Sequence, residues 1–121
     1  MTKTQNTKHY DLEDRTFEFA KQTREFVRKI SRTLANIEDG KQLIRSSGSI
    51  GANYIEANEA LSKKDFVMRV KICRKEAKES RYWLKLVNID AKKELEQERN
   101  VLENEACELT HIFGSIVTKS G

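Results

Sequence analysis

Apolar residues recur along this chain at steps of three and four, the spacing that lines one face of an α-helix. Phe19, Thr23, Phe26, Ile30, Leu34 and Ile37 form the first ladder. Asp11, Glu13 and Asp14 crowd its start, where carboxylates suit the positive end of a helix dipole. Asp39-Gly40 reads as its end, with Gly40 as a left-handed cap. A second ladder, Leu43, Ile50, Tyr54, Ala57 and Leu61, predicts a helix from about Lys41 to Ala60. Ser62-Lys-Lys-Asp65 then resembles a capping box, with Asp in the usual Glu place. The third ladder is the most regular: Phe66, Val70, Cys73, Ala77, Ser80, Leu84 and Val87, ending near Asn88. After a short break at Asn88-Ile-Asp90, the fourth helix runs from about Lys92 to Thr118. It carries Leu95, Leu102, Ala106, Leu109, Ile112 or Phe113, and Ile116. Residues 1–10 read as a flexible tail, 11–118 as the folded unit and 119–121 as a second tail.

Four long helices with short connections place each one antiparallel to its sequence neighbours, which predicts an all-α, antiparallel up-down-up-down four-helix bundle. Because the second and third helices turn near Ser62, residues whose numbers sum to ~125 should share one level of the bundle. Ser49 then falls near Glu76, Arg45 near Glu79 or Ser80, and Glu56 near Arg69.

The second helix has an unusual composition. Gly48 and Gly51 sit among Ser46, Ser47 and Ser49, although each interior Gly disfavours a helix by about 1 kcal/mol relative to Ala. Such residues suit close approach of another backbone. A polar line, Ser46, Ser49, Asn53 and Glu56, runs down one face and is predicted to meet Arg69, Glu76 and Glu79 on the third helix. With Gly48, Gly51, Ala52 and Trp83, these residues are candidates for an interhelix or subunit contact.

At 121 residues the chain is a single domain on length. It contains no proline, which favours helix over sheet and turn. Charged residues make up 35% and hydrophobic residues 37%, a balance that fits helices with one wet face each. The N-terminal stretch lacks the apolar core of a signal peptide, and no run approaches the roughly 20 apolar residues of a membrane span. A cytoplasmic location is therefore expected, with Cys73 and Cys107 as reduced thiols in place of a disulfide.

The motifs themselves resemble a known family. Arg45-Ser-Ser-Gly-Ser-Ile-Gly-Ala-Asn53, Glu56-Ala57, Ser62-Lys-Lys-Asp-Phe66 and Lys75-Glu-Ala-Lys-Glu-Ser-Arg-Tyr-Trp-Leu84 look like the bacterial four-helix-bundle proteins encoded in intervening sequences of 23S ribosomal RNA. The likeness spans about Tyr10 to Val117. Many members have Gly where Ala57 stands here, which points to a subfamily difference. The resemblance implies a bundle that assembles as a ring, typically a homopentamer. It also implies kinship with the accessory variability determinant proteins of diversity-generating retroelements, which are basic, pentameric, and bind nucleic acid and a reverse transcriptase.

Charge adds a candidate surface to this picture. The chain carries a net +4, a mild excess. The segment from Lys63 to Lys85 concentrates it, with nine basic and three acidic residues, a net +6. Lys71, Arg74, Lys75, Lys78, Arg81 and Lys85 share one broad face away from the apolar seam, a stripe able to contact phosphates without reading sequence. Tyr82 is placed to stack on a base. The competing reading pairs this stripe with the acidic fourth helix, through Glu94, Glu96, Glu98, Glu103, Glu105 and Glu108. A carboxylate metal site is the enzymatic alternative. Bundle di-metal sites use two Glu-x-x-His pairs, however, and Glu108 with His111 makes one copy, while His9 lies in the tail. There is no phosphate-cradling glycine motif, and no thiolate–imidazole or serine–histidine arrangement can be argued from the sequence. The chain thus reads as a non-enzymatic, cofactor-free oligomeric scaffold with candidate nucleic-acid affinity. The alternative is a protein–protein adaptor without nucleic-acid affinity, and a reverse transcriptase is the protein partner that the family resemblance implies.

Overall fold

The computed structural model describes residues 11–120. The tail expected at 1–10, His9 within it, and Gly121 lie outside the described residues. Four helices follow in order: α1 (Leu12–Lys29), α2 (Leu34–Asn58), α3 (Lys63–Leu86) and α4 (Lys93–Ser120). Lys119 and Ser120 therefore belong to α4, where a tail was expected.

Each helix packs on its two neighbours around a square, and the α1–α4 side is the sparsest. Pairings across the sides fix the antiparallel sense. Thr16 faces Gly51 and Val27 faces Gly40 between α1 and α2. Arg45 meets Glu79 and Asn53 meets Arg69 between α2 and α3. Arg15 meets Glu105 and Lys29 meets Glu98 between α1 and α4. The core is the convergence of the four ladders: Phe19, Phe26, Leu43, Ile50, Val70, Leu84, Leu109 and Phe113 are all fully buried or nearly so.

The first two helices do not divide at Asp39-Gly40. α1 ends at Lys29, and Thr33 caps α2 by accepting the Asn36 N–H at 3.1 Å. The apolar ladder runs on across this break, which hides it, but Leu34 is 79% exposed and contributes nothing to the core. Gly40 is interior to α2 and buried, and a Cβ there would sit 3.3 Å from Val27 Cγ1. It serves helix packing, with no cap and no positive φ.

Buried Asn36 ties this turn to the one between α3 and α4. Its Nδ2 donates to Ser31 O at 3.0 Å and to Asn88 O at 2.9 Å, and its Oδ1 accepts from Asn88 N at 2.9 Å. Ser31 also bonds Asp90. At the other end, Ser62 caps α3 by accepting from Asp65 N at 3.1 Å, as its sequence suggested.

Candidate nucleic-acid interface

Lys71, Arg74, Lys75, Lys78, Arg81 and Lys85 are all exposed on α3. Among the described residues, no acid lies within 4.0 Å of a charged nitrogen on Lys71, Arg74, Lys75, Lys78 or Lys85. Arg81 alone approaches an acid, Glu103, at 4.0 Å. Three other acids of α4, Glu98, Glu105 and Glu108, are directed to α1. Arg15 on α1 grips Glu105 in a two-pronged contact, Nε to Oε2 at 2.7 Å and Nη2 to Oε1 at 2.9 Å. Its Nη2 also donates to Glu108 at 2.6 Å. Lys29 holds Glu98 at 2.8 Å. Both cations are held more firmly protonated than usual, Arg15 chiefly by its hydrogen bond to Glu105 and Lys29 by its bond to Glu98. Three acids of α4 thus pair with Arg15 and Lys29 of α1, and among the stripe cations the acids of α4 meet Arg81 alone.

Tyr82 is exposed at the edge of this face and meets half-buried Trp83 in a T-shaped contact, ring centroids 5.0 Å apart. Trp83 packs against the core, as do Phe66 and Tyr54, and Tyr54 tilts onto Phe113 at 5.7 Å.

The polar line of α2 spreads over several partners within the chain. Ser46 Oγ lies 2.9 Å from Ser80 Oγ, and Ser80 donates to Glu76 O at 2.9 Å. Asn53 Nδ2 donates to Ser49 Oγ at 2.9 Å, and its Oδ1 accepts from Arg69 at 2.9 Å. Arg69 thus meets Asn53, one turn short of the expected Glu56, which is exposed. Arg45 spans Glu79 at 3.3 Å and Glu76 at 3.6 Å. Glu76 is 6% exposed, and its Oε1 takes no hydrogen bond among the described residues.

Gly48 and Gly51 face α1. A Cβ at Gly51 would lie 2.8 Å from Thr16 Oγ1, and one at Gly48 would lie 3.3 Å from Arg24 Nη2. Their close approach is made inside the chain. They and exposed Ala52 also floor a groove between α1 and α2, flanked by Phe17, 66% exposed, and Ile55, 49% exposed.

Among the described residues no three His, Cys, Asp or Glu side chains gather to hold a metal ion. Glu108 is turned to Arg15, while His111 Nδ1 lies 2.9 Å from Cys107 O, so the single Glu-x-x-His is split. Cys107 Sγ lies 3.9 Å from the same ring nitrogen. Cys73 is buried, and desolvation pushes its thiol up to about 12, far from a reactive thiolate. No helix of the described residues is long and apolar enough to cross a membrane.

The structure adds residues that the sequence reading left aside, and gives His111 a setting other than the metal pair considered for it. Thr110, His111, Gly114, Ser115 and Thr118 on α4 border a cleft completed by Arg74 and Lys78. The signal for them was a polar and small line at helical spacing on an otherwise acidic helix.

These features define a small all-α up-down bundle with one bare basic face. The chain belongs to the 23S rRNA-intervening sequence protein family, whose model matches residues 8–115. It is similar to the crystal structure of a protein of unknown function from the S23 ribosomal protein family of Bacteroides thetaiotaomicron. The two are 31% identical, the match covers 87% of this chain and 96% of that one, and the TM-score is 0.75. No curated protein matches the chain.

Proposed function

We propose that this protein is a non-enzymatic cytoplasmic scaffold that assembles with copies of itself and binds nucleic acid along the outer face of α3. The separation of charge carries the reading: Glu98, Glu105 and Glu108 of α4 are engaged by α1, and five of the six stripe cations have no acid partner within ion-pair reach among the described residues. A row of exposed cations with no internal partners suits a polyanion, bound through phosphates and weakened by salt. Tyr82 adds an exposed ring beside it for stacking.

Assembly is supported on the opposite side of the square. Phe17 and Ile55 stand exposed over the glycine-floored groove between α1 and α2. Aromatic and aliphatic side chains of this kind anchor subunit contacts. A copy seated there leaves the α3–α4 side free for ligand. The ring of five that the family resemblance implies is compatible with such a one-sided contact, repeated head to tail. A reverse transcriptase is the protein partner implied by kinship with the retroelement accessory proteins.

The test uses the full chain and a single-stranded RNA about 20 nucleotides long. Binding measured by fluorescence anisotropy should fall steeply as salt rises, with log K falling by about 0.7 per phosphate contact for each tenfold change. Changing Lys71, Lys75 and Lys78 to Glu should abolish it. No binding at low salt, or binding indifferent to the triple change, overturns the reading. Sedimentation equilibrium tests assembly: Phe17→Glu should shift the population to monomer, and a wild type that is monomeric at high concentration removes the scaffold claim.

A further inference from the structure

We propose that the cleft between α3 and α4 is a seat for a phosphoryl anion, held by Arg74 and Lys78 from one wall and Ser115 and Thr118 from the other. This inference rests on the nucleic-acid reading and gives it a specific anchoring point. The cleft is a shallow, open depression of about 590 Å³, lined by Arg74, Lys78, Thr110, His111, Gly114, Ser115 and Thr118, with no acid among them. The nearby acids on α4 are spoken for: Glu108 lies on Arg15, and Glu103 on Arg99 and Arg81. Two full positive charges therefore converge on one concavity without an anion.

Gly114 sets the position of the arginine. A Cβ there would lie 3.6 Å from Arg74 Cδ and 3.8 Å from its Nη1, so the Arg74 side chain lies against the α4 backbone. The hydroxyls divide by availability. Thr110 gives its proton to Ala106 O at 2.8 Å and so offers no free donor. Ser115 and Thr118 are exposed and make no such bond among the described residues. His111 Nδ1 is taken by Cys107 O at 2.9 Å, which leaves Nε2 as the ring's remaining polar atom at the rim. Guanidinium, ammonium and hydroxyl donors on two walls match an anion whose several oxygens accept from different directions, as phosphoryl groups do. The cleft also continues the α3 stripe through Arg74 and Lys78, so a phosphodiester chain following the stripe would cross onto α4 here.

Two probes separate the sources of the anion: inorganic pyrophosphate, by calorimetry, and the single-stranded RNA used above. Two variants separate the sites. Ser115→Glu with Thr118→Glu places acids in the cleft, and Lys71→Glu with Lys75→Glu alters only the stripe. Lys78→Ala, at an exposed position, guards against misfolding in the first pair. The cleft pair should lose pyrophosphate binding and weaken RNA binding, and Lys78→Ala should weaken both about tenfold, the loss of one charge-assisted hydrogen bond. The stripe pair should keep pyrophosphate binding and weaken RNA binding. If the stripe pair weakens RNA while the cleft variants bind both probes like wild type, the seat is rejected and the nucleic-acid reading stands. If wild type binds pyrophosphate and the cleft variants do not, but RNA is never bound, the seat stands as a small-phosphate site and the nucleic-acid reading falls. If wild type binds neither, both fall.

Discussion

Cys73 illustrates how one side chain reports on the α2–α3 contact. It has no exposed surface, and its Sγ donates to Ile50 O across the interface at 3.4 Å. Burial raises its folded pKa from 9.0 to about 12, so the unfolded chain gives up this proton first. Stability from the neutral thiol is therefore fully present below about pH 9 and is lost as pH rises toward 12. Half-buried Tyr54 acts with the same sign, because desolvation raises its phenol above 10.0. Urea denaturation of wild type should accordingly weaken between pH 9 and 12. Cys73→Ala should flatten part of that slope, while losing about 1 kcal/mol at neutral pH from the smaller side chain. An identical alkaline slope in the variant would show that the buried thiol is not the cause. The two cysteines should also separate by reactivity. Half-buried Cys107 should take up a thiol reagent in the native protein, and Cys73 only on unfolding.

At the scale of the helices, the glycines of this chain differ in what they permit, and substitution separates them. At Gly51 a Cβ would press on Thr16 Oγ1 at 2.8 Å, and that hydroxyl is fixed by its bond to Leu12 O at 2.7 Å. Gly51→Ala should destabilise by about 1–2 kcal/mol, because overpacking outweighs the gain in helix propensity. Thr16→Ala should relieve much of that loss in the double variant, an interaction read from the cycle. At Gly114 the same methyl meets only ordinary contact, and Gly114→Ala should stabilise by about 0.5–1 kcal/mol. Thermal melts that rank the two changes alike would refute this account of α2. The small residues of α2 were visible in the sequence as a sign of close approach. That the approach is made by α1 was not, because periodicity gives a face without naming its neighbour. The same limit hid the first turn: Ile30, Leu34 and Ile37 keep helical spacing across a break set by the Thr33 cap and the Asn36 staple. By contrast, the α2–α3 register followed from loop length, and Arg45 meets Glu79 at the level predicted. The basic face was legible as a stripe on α3. Its lack of partners was not, because that depends on which helix the acids of α4 face.

Across the whole molecule, the four sides of the square are unequal, and the weakest governs where the bundle opens. α1 and α4 share the sparsest packing. Val101, at that seam, stays 61% exposed and borders two clefts, one lined by Arg15, Glu105 and Glu108 and the other by Gln22, Glu25 and Glu98. Two cations of α1 tie this seam to α4: Arg15, bonded to both Glu105 and Glu108, and Lys29, bonded to Glu98. Exposed ion pairs contribute little as a rule. Arg15 differs because its side chain is 21% exposed, Glu105 is 26% exposed, and the contact is two-pronged. Arg15→Met keeps the apolar stem and removes the fork, leaving Glu105 half-buried without its cation. The expected loss is about 1–3 kcal/mol in urea denaturation, the range for charge-assisted hydrogen bonds. The location of the loss distinguishes this from general weakening. Native-state hydrogen exchange should speed up first in α1, while amides of α2 and α3, joined by the densest packing, keep their protection. Uniform loss of protection across all four helices would mean that the bundle has no weak side, and that Arg15 supports the core as a whole.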